Sequence, residues 1–125
     1  MGVVALDHIQ IAMPKGQEQE AREFYHEILG VSEVPKPAEL SGRGGAWFES
    51  GQLKIHLGVE DDFRPARKAH PGLLVDDLGA HCRILKSKGY VVQDDEAQLG
   101  VKRAFTHDPF GNRIELIQYD SGKGT

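Results

Sequence analysis

ALDHIQIAM (residues 5–13) and QLKIHL (52–57) are answered further along the chain by KAHPGLLV (68–75) and NRIELI (112–117). Each half opens on a strand-like run carrying one histidine, His8 or His70. Each closes on a run carrying a second metal-competent side chain, His56 or Glu115. His8 and His70 lie 62 residues apart, and His56 and Glu115 lie 59 apart. The halves therefore read as two copies of one supersecondary unit. Such copies usually pack about an approximate two-fold axis, which is expected to gather the four side chains.

The first half predicts a strand over residues 5–13, stopped by Pro14 and Gly16. In GQEQEAREFYHEILG, Ala21, Phe24, Tyr25, Ile28 and Leu29 follow the spacing of an amphipathic helix, with Glu18 and Glu20 suited to its start and Gly30 to its end. Strands are expected over residues 32–34, 45–49 and 53–59. The second half repeats the order. A strand over 72–75 leads to a helix capped by Asp76 or Asp77, with Leu78, Cys82, Ile84 and Leu85 on its apolar side and Gly89 at its end. Strands follow over 90–93, 101–107 and 112–119, the last two joined by the turn Asp108-Pro109-Phe110-Gly111. The charged, Pro-bounded DDFRPARKAHP links the modules, and DSGKGT reads as a disordered tail.

The fold expectation is α+β: two tandem βαβββ modules, about residues 5–60 and 70–120, in a single domain spanning 1–125. With 125 residues and 39% hydrophobic content the chain suits one compact domain, and no apolar run approaches a membrane span. The N-terminal MGVVALDHI carries no basic leader or lipidation motif. The lone Cys82 has no internal disulfide partner, which suits a cytoplasmic setting. A formal net charge of −4, with no basic run beyond FRPARK, argues against nucleic acid as a partner.

In LKIHLGV, Leu53, Ile55 and Leu57 alternate with Lys54 and His56. In NRIELIQ, Ile114 and Leu116 alternate with Arg113 and Glu115. Side chains two apart share a sheet face. His8, His56 and Glu115 are thus expected to point away from the helices, into a polar cleft. His70 precedes Pro71, which biases it to extended geometry at a strand start or sheet edge. Three imidazoles and one carboxylate suit a divalent transition metal such as Zn, Ni, Co, Mn or Fe, whereas Mg or Ca would want mainly oxygen. That ligand set leaves a residual charge of about +1, which favours an anionic or enolisable substrate binding through two oxygens. His26 and His81, on helices, are expected to be solvated, as are Arg64, Arg67 and Lys68 in the linker. Cys82 is expected in the core, and His107 is left without an assignment.

LDHIQIAMP, EFYHEILG, AHPGLLVDDL and DPFGNRIELI together resemble the vicinal oxygen chelate superfamily, which includes glyoxalase I, fosfomycin-resistance transferases, extradiol dioxygenases and bleomycin-resistance proteins. The resemblance implies an open curved mixed sheet cupping a metal, ligands at His8, His56, His70 and Glu115, and homodimers. It leaves the reaction open, because the scaffold hosts several chemistries. Bacterial glyoxalase I carries a glutamate where this chain has His56. Phe105 stands where the fosfomycin transferases carry a substrate-binding tyrosine.

The expected function is a glyoxalase-like, metal-dependent enzyme of lyase, isomerase, transferase or dioxygenase type, acting on a small chelated substrate. Glu115 is the candidate ligand and proton acceptor, and His56 the fourth ligand or the base. Gln10 and Arg113 are candidates for orienting substrate, with Trp47 as an apolar wall or a core residue. The alternative is a metal-free protein that binds a small molecule or drug in the same cleft, as bleomycin-resistance proteins do.

Overall fold

A computed structural model describes residues 1–95 and 100–120. The tail expectation for 121–125 lies outside the described residues. The chain divides into two compact units, Met1–Pro65 and Ala66–Thr125, with the boundary inside the charged linker. Each unit carries a four-stranded mixed sheet built in one order. The first, β1(Ile9–Met13), β2(Glu33–Val34), β3(Ala46–Ser50) and β4(Leu53–Val59), is arranged β1-β4-β3-β2. The second, β5(Gly72–Leu74), β6(Gln93–Asp95), β7(Val101–His107) and β8(Arg113–Tyr119), is arranged β5-β8-β7-β6. The first strand of each sheet pairs parallel with the last, and the other pairs are antiparallel. The expected α+β, βαβββ twice is the observed architecture, with the strands in two open sheets.

In the first unit, α1(Glu18–Ala21) continues as a π-helical stretch, Arg22–Ile28, closed by Leu29 N–H donating to the Phe24 carbonyl at 2.9 Å. Ala21, Phe24, Tyr25 and Ile28 are buried, as their spacing predicts. They form the core with Ile11 and Met13 of β1, Phe48 of β3, and Ile55 and Leu57 of β4, which are also buried. Tyr25 meets Phe48 at a ring separation of 5.5 Å. Removing each large side chain from water is worth about 1.5–3 kcal/mol. Since Ile55 and Leu57 face this core, His56 between them must face the other way. A 3-10 segment, Ala38–Arg43, occupies what reads in the sequence as an irregular connection.

In the second unit, α2(Leu78–Ser87) is capped by Asp77, whose Oδ1 accepts from Ala80 N–H at 3.0 Å. The Gln118 Oε1 of β8 accepts from Leu78 N–H at 2.8 Å and ties the helix start to the sheet. Leu78, Cys82 and Leu85 are buried, but Ile84 is 43% exposed. Ile84 was expected on the apolar side, yet it stands two residues from Cys82, and side chains that close in sequence diverge on a helix. The strand expected over 90–93 begins at Gln93 instead. Gly89 takes a φ of +90°, Tyr90 N–H closes on the Leu85 carbonyl, and the Val91 carbonyl accepts from Thr106 Oγ1. Ladder pairing therefore starts later. His26 is exposed as expected, and its Nδ1 accepts from Glu33 N–H. His81 corrects its expectation: its side chain is only 18% exposed, beside Asp76.

The β7–β8 turn aligns the strand that carries Glu115. Asp108 Oδ1 accepts from the N–H groups of Phe110 and Asn112, while Asn112 Nδ2 donates to Asp108 Oδ2. Asn112 Oδ1 accepts from Ala66 N–H, joining the turn to the segment before β5. Both side chains are buried.

Asn112→Ala strands buried partners and is expected to destabilise the protein by about 2–3 kcal/mol in urea unfolding, through loss of hydrogen bonds whose partners stay desolvated. A change under about 0.5 kcal/mol, the range of an ordinary surface substitution, contradicts that role. Burial, assisted by the Asp94 charge, pushes the Cys82 thiol above its ordinary value. It stays protonated at neutral pH, and the thiolate is the reactive form. Alkylation of the folded protein is therefore expected to run at least about tenfold slower than in urea, and equal rates would show an accessible thiol.

Candidate functional site

On the first sheet, His56 of β4 has Gln10 of β1 and Trp47 of β3 as its cross-strand neighbours. Its ring lies between two others: Trp47 stacks on it at 3.8 Å and 2° between planes, and His8 at 4.6 Å and 22°. His56 is only 5% exposed. His8 was expected within a strand but stands one residue before β1, exposed at the mouth of this face. The polar face predicted by alternation exists, and Trp47 stands half-buried on it.

Hydrogen-bond partners assign the ring protons. Carboxylates only accept, so His56 Nε2–H donates to Glu49 Oε2 at 2.9 Å and His8 Nδ1–H donates to Asp7 Oδ2 at 2.9 Å. This leaves a lone pair on His56 Nδ1 and on His8 Nε2. A carboxylate behind a histidine is the usual way to fix a ligand's tautomer and raise its basicity. The His8 hydrogen bond, followed by the Lys54 charge, holds the Asp7 carboxyl below its ordinary value.

On the second sheet, Glu115 of β8 lies between Gly72 of β5 and Phe105 of β7. Its neighbour His70 is not in a strand. Arg113 N–H donates to the Ala66 carbonyl and Glu115 N–H to that of Pro71, so the segment holding His70 is pinned along β8 at both ends. Pro71 has no N–H to give, which is why regular pairing begins only at Gly72. His70 Nε2 is 2.9 Å from Glu115 Oε1, and Arg103 Nη1 is 3.3 Å from Glu115 Oε2. Arg113 places its guanidinium 4.2 Å from the centre of the Phe105 ring, a cation–π contact, and His70 meets the same ring edge-on at 5.5 Å. Arg113 thus stands beside the pair. His107 is exposed at the end of β7 and joins neither group.

His70 carries the most informative hydrogen bonds. Its Nδ1 faces the Lys68 carbonyl at 2.9 Å and its Nε2 faces a carboxylate oxygen. Both partners are acceptors. A neutral ring has one N–H to give, so it satisfies one of these two acceptors and presents a lone pair to the other. A metal ion taken between Nε2 and the Glu115 carboxylate would let Nδ1–H donate to Lys68 and satisfy both groups. The backbone carbonyl behind Nδ1 is the support that metal-binding histidines commonly have. This donor set fits a divalent metal. Within each unit, among the described residues, no three His, Cys, Asp or Glu side chains form a metal-holding group. Each unit brings together two of the four expected ligands.

Glu49 and Arg103 are absent from the sequence expectation. Alternation alone places Glu49 on the Trp47 face and Arg103 on the Phe105 face, but which acid meets His56 and which base meets Glu115 depends on strand register.

Known proteins resemble this chain along its length. The Glyoxalase/Bleomycin resistance protein/Dioxygenase superfamily matches residues 5–116. A solved structure of a Bacillus anthracis protein assigned to the glyoxalase family is 45% identical, with a TM-score of 0.90, covering 96% of this chain and 98% of that one. An Arabidopsis thaliana protein named Glyoxylase I 4 is 27% identical over 95% of this chain and 73% of its own length. TnmS3, an antibiotic binding protein from Streptomyces sp. CB03234, shares the fold at 21% identity and a TM-score of 0.71, covering 96% of this chain and 99% of that one. The family match runs through both repeats and contains His8, His56, His70 and Glu115, so the chain belongs to the Glyoxalase/Bleomycin resistance protein/Dioxygenase superfamily.

Proposed function

We propose that this protein is a metal-dependent enzyme of glyoxalase-like type, acting on a small substrate held through two neighbouring oxygens. His8, His56, His70 and Glu115 are the ligands of one divalent transition metal, Zn, Ni, Co, Mn or Fe. The observation that carries the reading is the His70–Glu115 pair: the His70 ring faces two acceptors, and a cation between Nε2 and the carboxylate would leave Nδ1–H free to donate to Lys68. Members of this superfamily typically use a divalent metal. When bound, such a metal is a Lewis acid for negative charge developing on substrate oxygens.

The protein's own residues have separable tasks. Glu115 serves as ligand and, through a second oxygen steadied by Arg103, as proton acceptor. Glu49 fixes the His56 tautomer so that Nδ1 presents its lone pair, as either a fourth ligand or a base. Gln10 and Arg113 orient the substrate, and Trp47 forms the apolar wall. No helix among the described residues is long and apolar enough to cross a membrane. The working form is a homodimer in the cytoplasm.

Elemental analysis of protein purified without chelator is expected to show about one transition metal per His/Glu ligand set, lost in both His8→Ala and Glu115→Ala while the fold persists. A metal-free wild type that stays so after anaerobic reconstitution with each of the five metals sinks this reading in favour of small-molecule binding. Glu49→Gln keeps the shape but lets the amide donate to His56 Nε2, moving the ring proton to Nδ1. Metal affinity is expected to fall about 10–100-fold, the cost of losing an outer-shell partner. Unchanged affinity in a competition titration means that His56 is not a ligand.

A further inference from the structure

The first unit holds a cavity of about 270 Å³ on the polar side of its sheet, beyond the side chains already described. Its floor is Trp47, Gln10 and the backbone at Gly58, and Lys36, Leu40 and Arg43 of the β2–β3 connection form its other wall. The closure depends on glycine. Gly45, at φ +84°, lies so close to β4 that an added Cβ would stand 2.1 Å from the Leu57 carbonyl oxygen. A Cβ on Gly58 would stand 2.3 Å from Gln10 Nε2, so the Gln10 amide lies across bare backbone at the cavity floor.

The charge in this cavity is one-sided. Two cations line it and no carboxylate does. Lys36 Nζ donates to the Gly44 carbonyl, which fixes the ammonium, and Lys36 makes no ion pair among the described residues. Arg43 makes no hydrogen bond or ion pair among the described residues. The Glu18 carboxylate, which is not part of the lining, accepts from Gly45 N–H at 2.8 Å and ties the loop to the start of the helix. Trp47 belongs both to the cavity and to the stack on His56. The indole is thus the side chain that the cavity shares with the His56 face.

From this arrangement we propose that the cavity seats a carboxylate at the far end of the substrate, which makes the substrate class a small organic acid with a flat or apolar body. This rests on the reading that the His56 face is the ligand face. Arg43 provides a two-pronged donor matched to a carboxylate, Lys36 adds a fixed positive charge, and Gln10 donates an amide N–H. The volume lies just below the usual range of ligand pockets, which limits the bound group to a small one.

Trp47 is the single tryptophan of the chain, so its emission reports this cavity without reference to turnover. Benzoate, benzamide and inorganic phosphate serve as probes, titrated against the purified full chain with metal content measured on the same preparation. Benzoate is expected to change Trp47 emission saturably and to bind at least about tenfold more tightly than benzamide, the gain from one charge-assisted, two-pronged contact. Arg43→Gln, at an exposed position, is expected to fold normally and to erase the difference between the two probes. Gly58→Ala, which displaces the Gln10 amide, is expected to weaken benzoate in a chain whose urea midpoint shows it folded. Phosphate competing as well as benzoate would indicate an anion site with no need for the apolar body and would overturn the substrate class. Equal binding of benzoate and benzamide, absence of binding, or an unchanged preference in Arg43→Gln overturns the cavity assignment, even if the chain binds metal. Retained benzoate preference in a chain that takes up no metal would instead leave the cavity standing and remove the metal enzyme.

Discussion

The parallel pairing of the first and last strand in each sheet is the constraint from which the site follows. β1 pairs with β4 so that Gln10 is opposite His56, and β5 pairs with β8 so that Gly72 is opposite Glu115. A slip of one residue would turn His56 or Glu115 into the core and bring Ile55, Leu57, Ile114 or Leu116 to the polar face. Such a slip would bury charge and expose several large apolar side chains, each worth about 1.5–3 kcal/mol. The hydrophobic core of each unit therefore specifies the polar side chains as firmly as it specifies itself. Parallel neighbours also need a long connection between them, and here that connection is the helix and two intervening strands that complete the unit.

On this frame the polar side chains are held by one another. His56 has a carboxylate behind Nε2 and aromatic rings on both faces, so its ring has little freedom to rotate or tilt. Glu115 has His70 on one oxygen and Arg103 on the other. His70 relies on a backbone carbonyl at Nδ1 and on a bend fixed by hydrogen bonds from both Arg113 and Glu115. The cost of such an arrangement is concentration of acceptors around imidazoles, and its chemical consequence is lone pairs presented in fixed directions. The same economy appears in the β2–β3 connection, where Gly44 and Gly45 take positive φ and let a cationic loop press against β4.

Much of this was legible in the residues. Two copies of a strand-helix-strand pattern show in the spacing of His8, His56, His70 and Glu115, and alternation in LKIHLGV and NRIELIQ puts the correct side chains on the polar face. Features that depend on the path of the backbone were not legible. The 3-10 turn at Ala38–Arg43 lies in PKPAELSGRGG, whose Pro, Ser and Gly suggest only irregularity. The π-helical stretch keeps the same buried residues as an α-helix would, so periodicity cannot tell the two apart over so few turns. His81 and Ile84 exchanged their expected surroundings because side chains on so short a helix are sorted by what packs against it.

Residue pattern alone establishes the two-module α+β architecture and the faces on which His56 and Glu115 stand, because a two-residue period leaves a strand side chain only two directions. Tertiary structure alone decided who meets whom. Glu49 reaches His56 across an antiparallel pair, Arg103 reaches Glu115 from the neighbouring strand, and Lys36 and Arg43 are brought over Gln10 and Trp47 by a glycine-dependent turn. Those contacts depend on register, strand twist and loop path, which are set by packing across many residues and leave no local pattern in the chain.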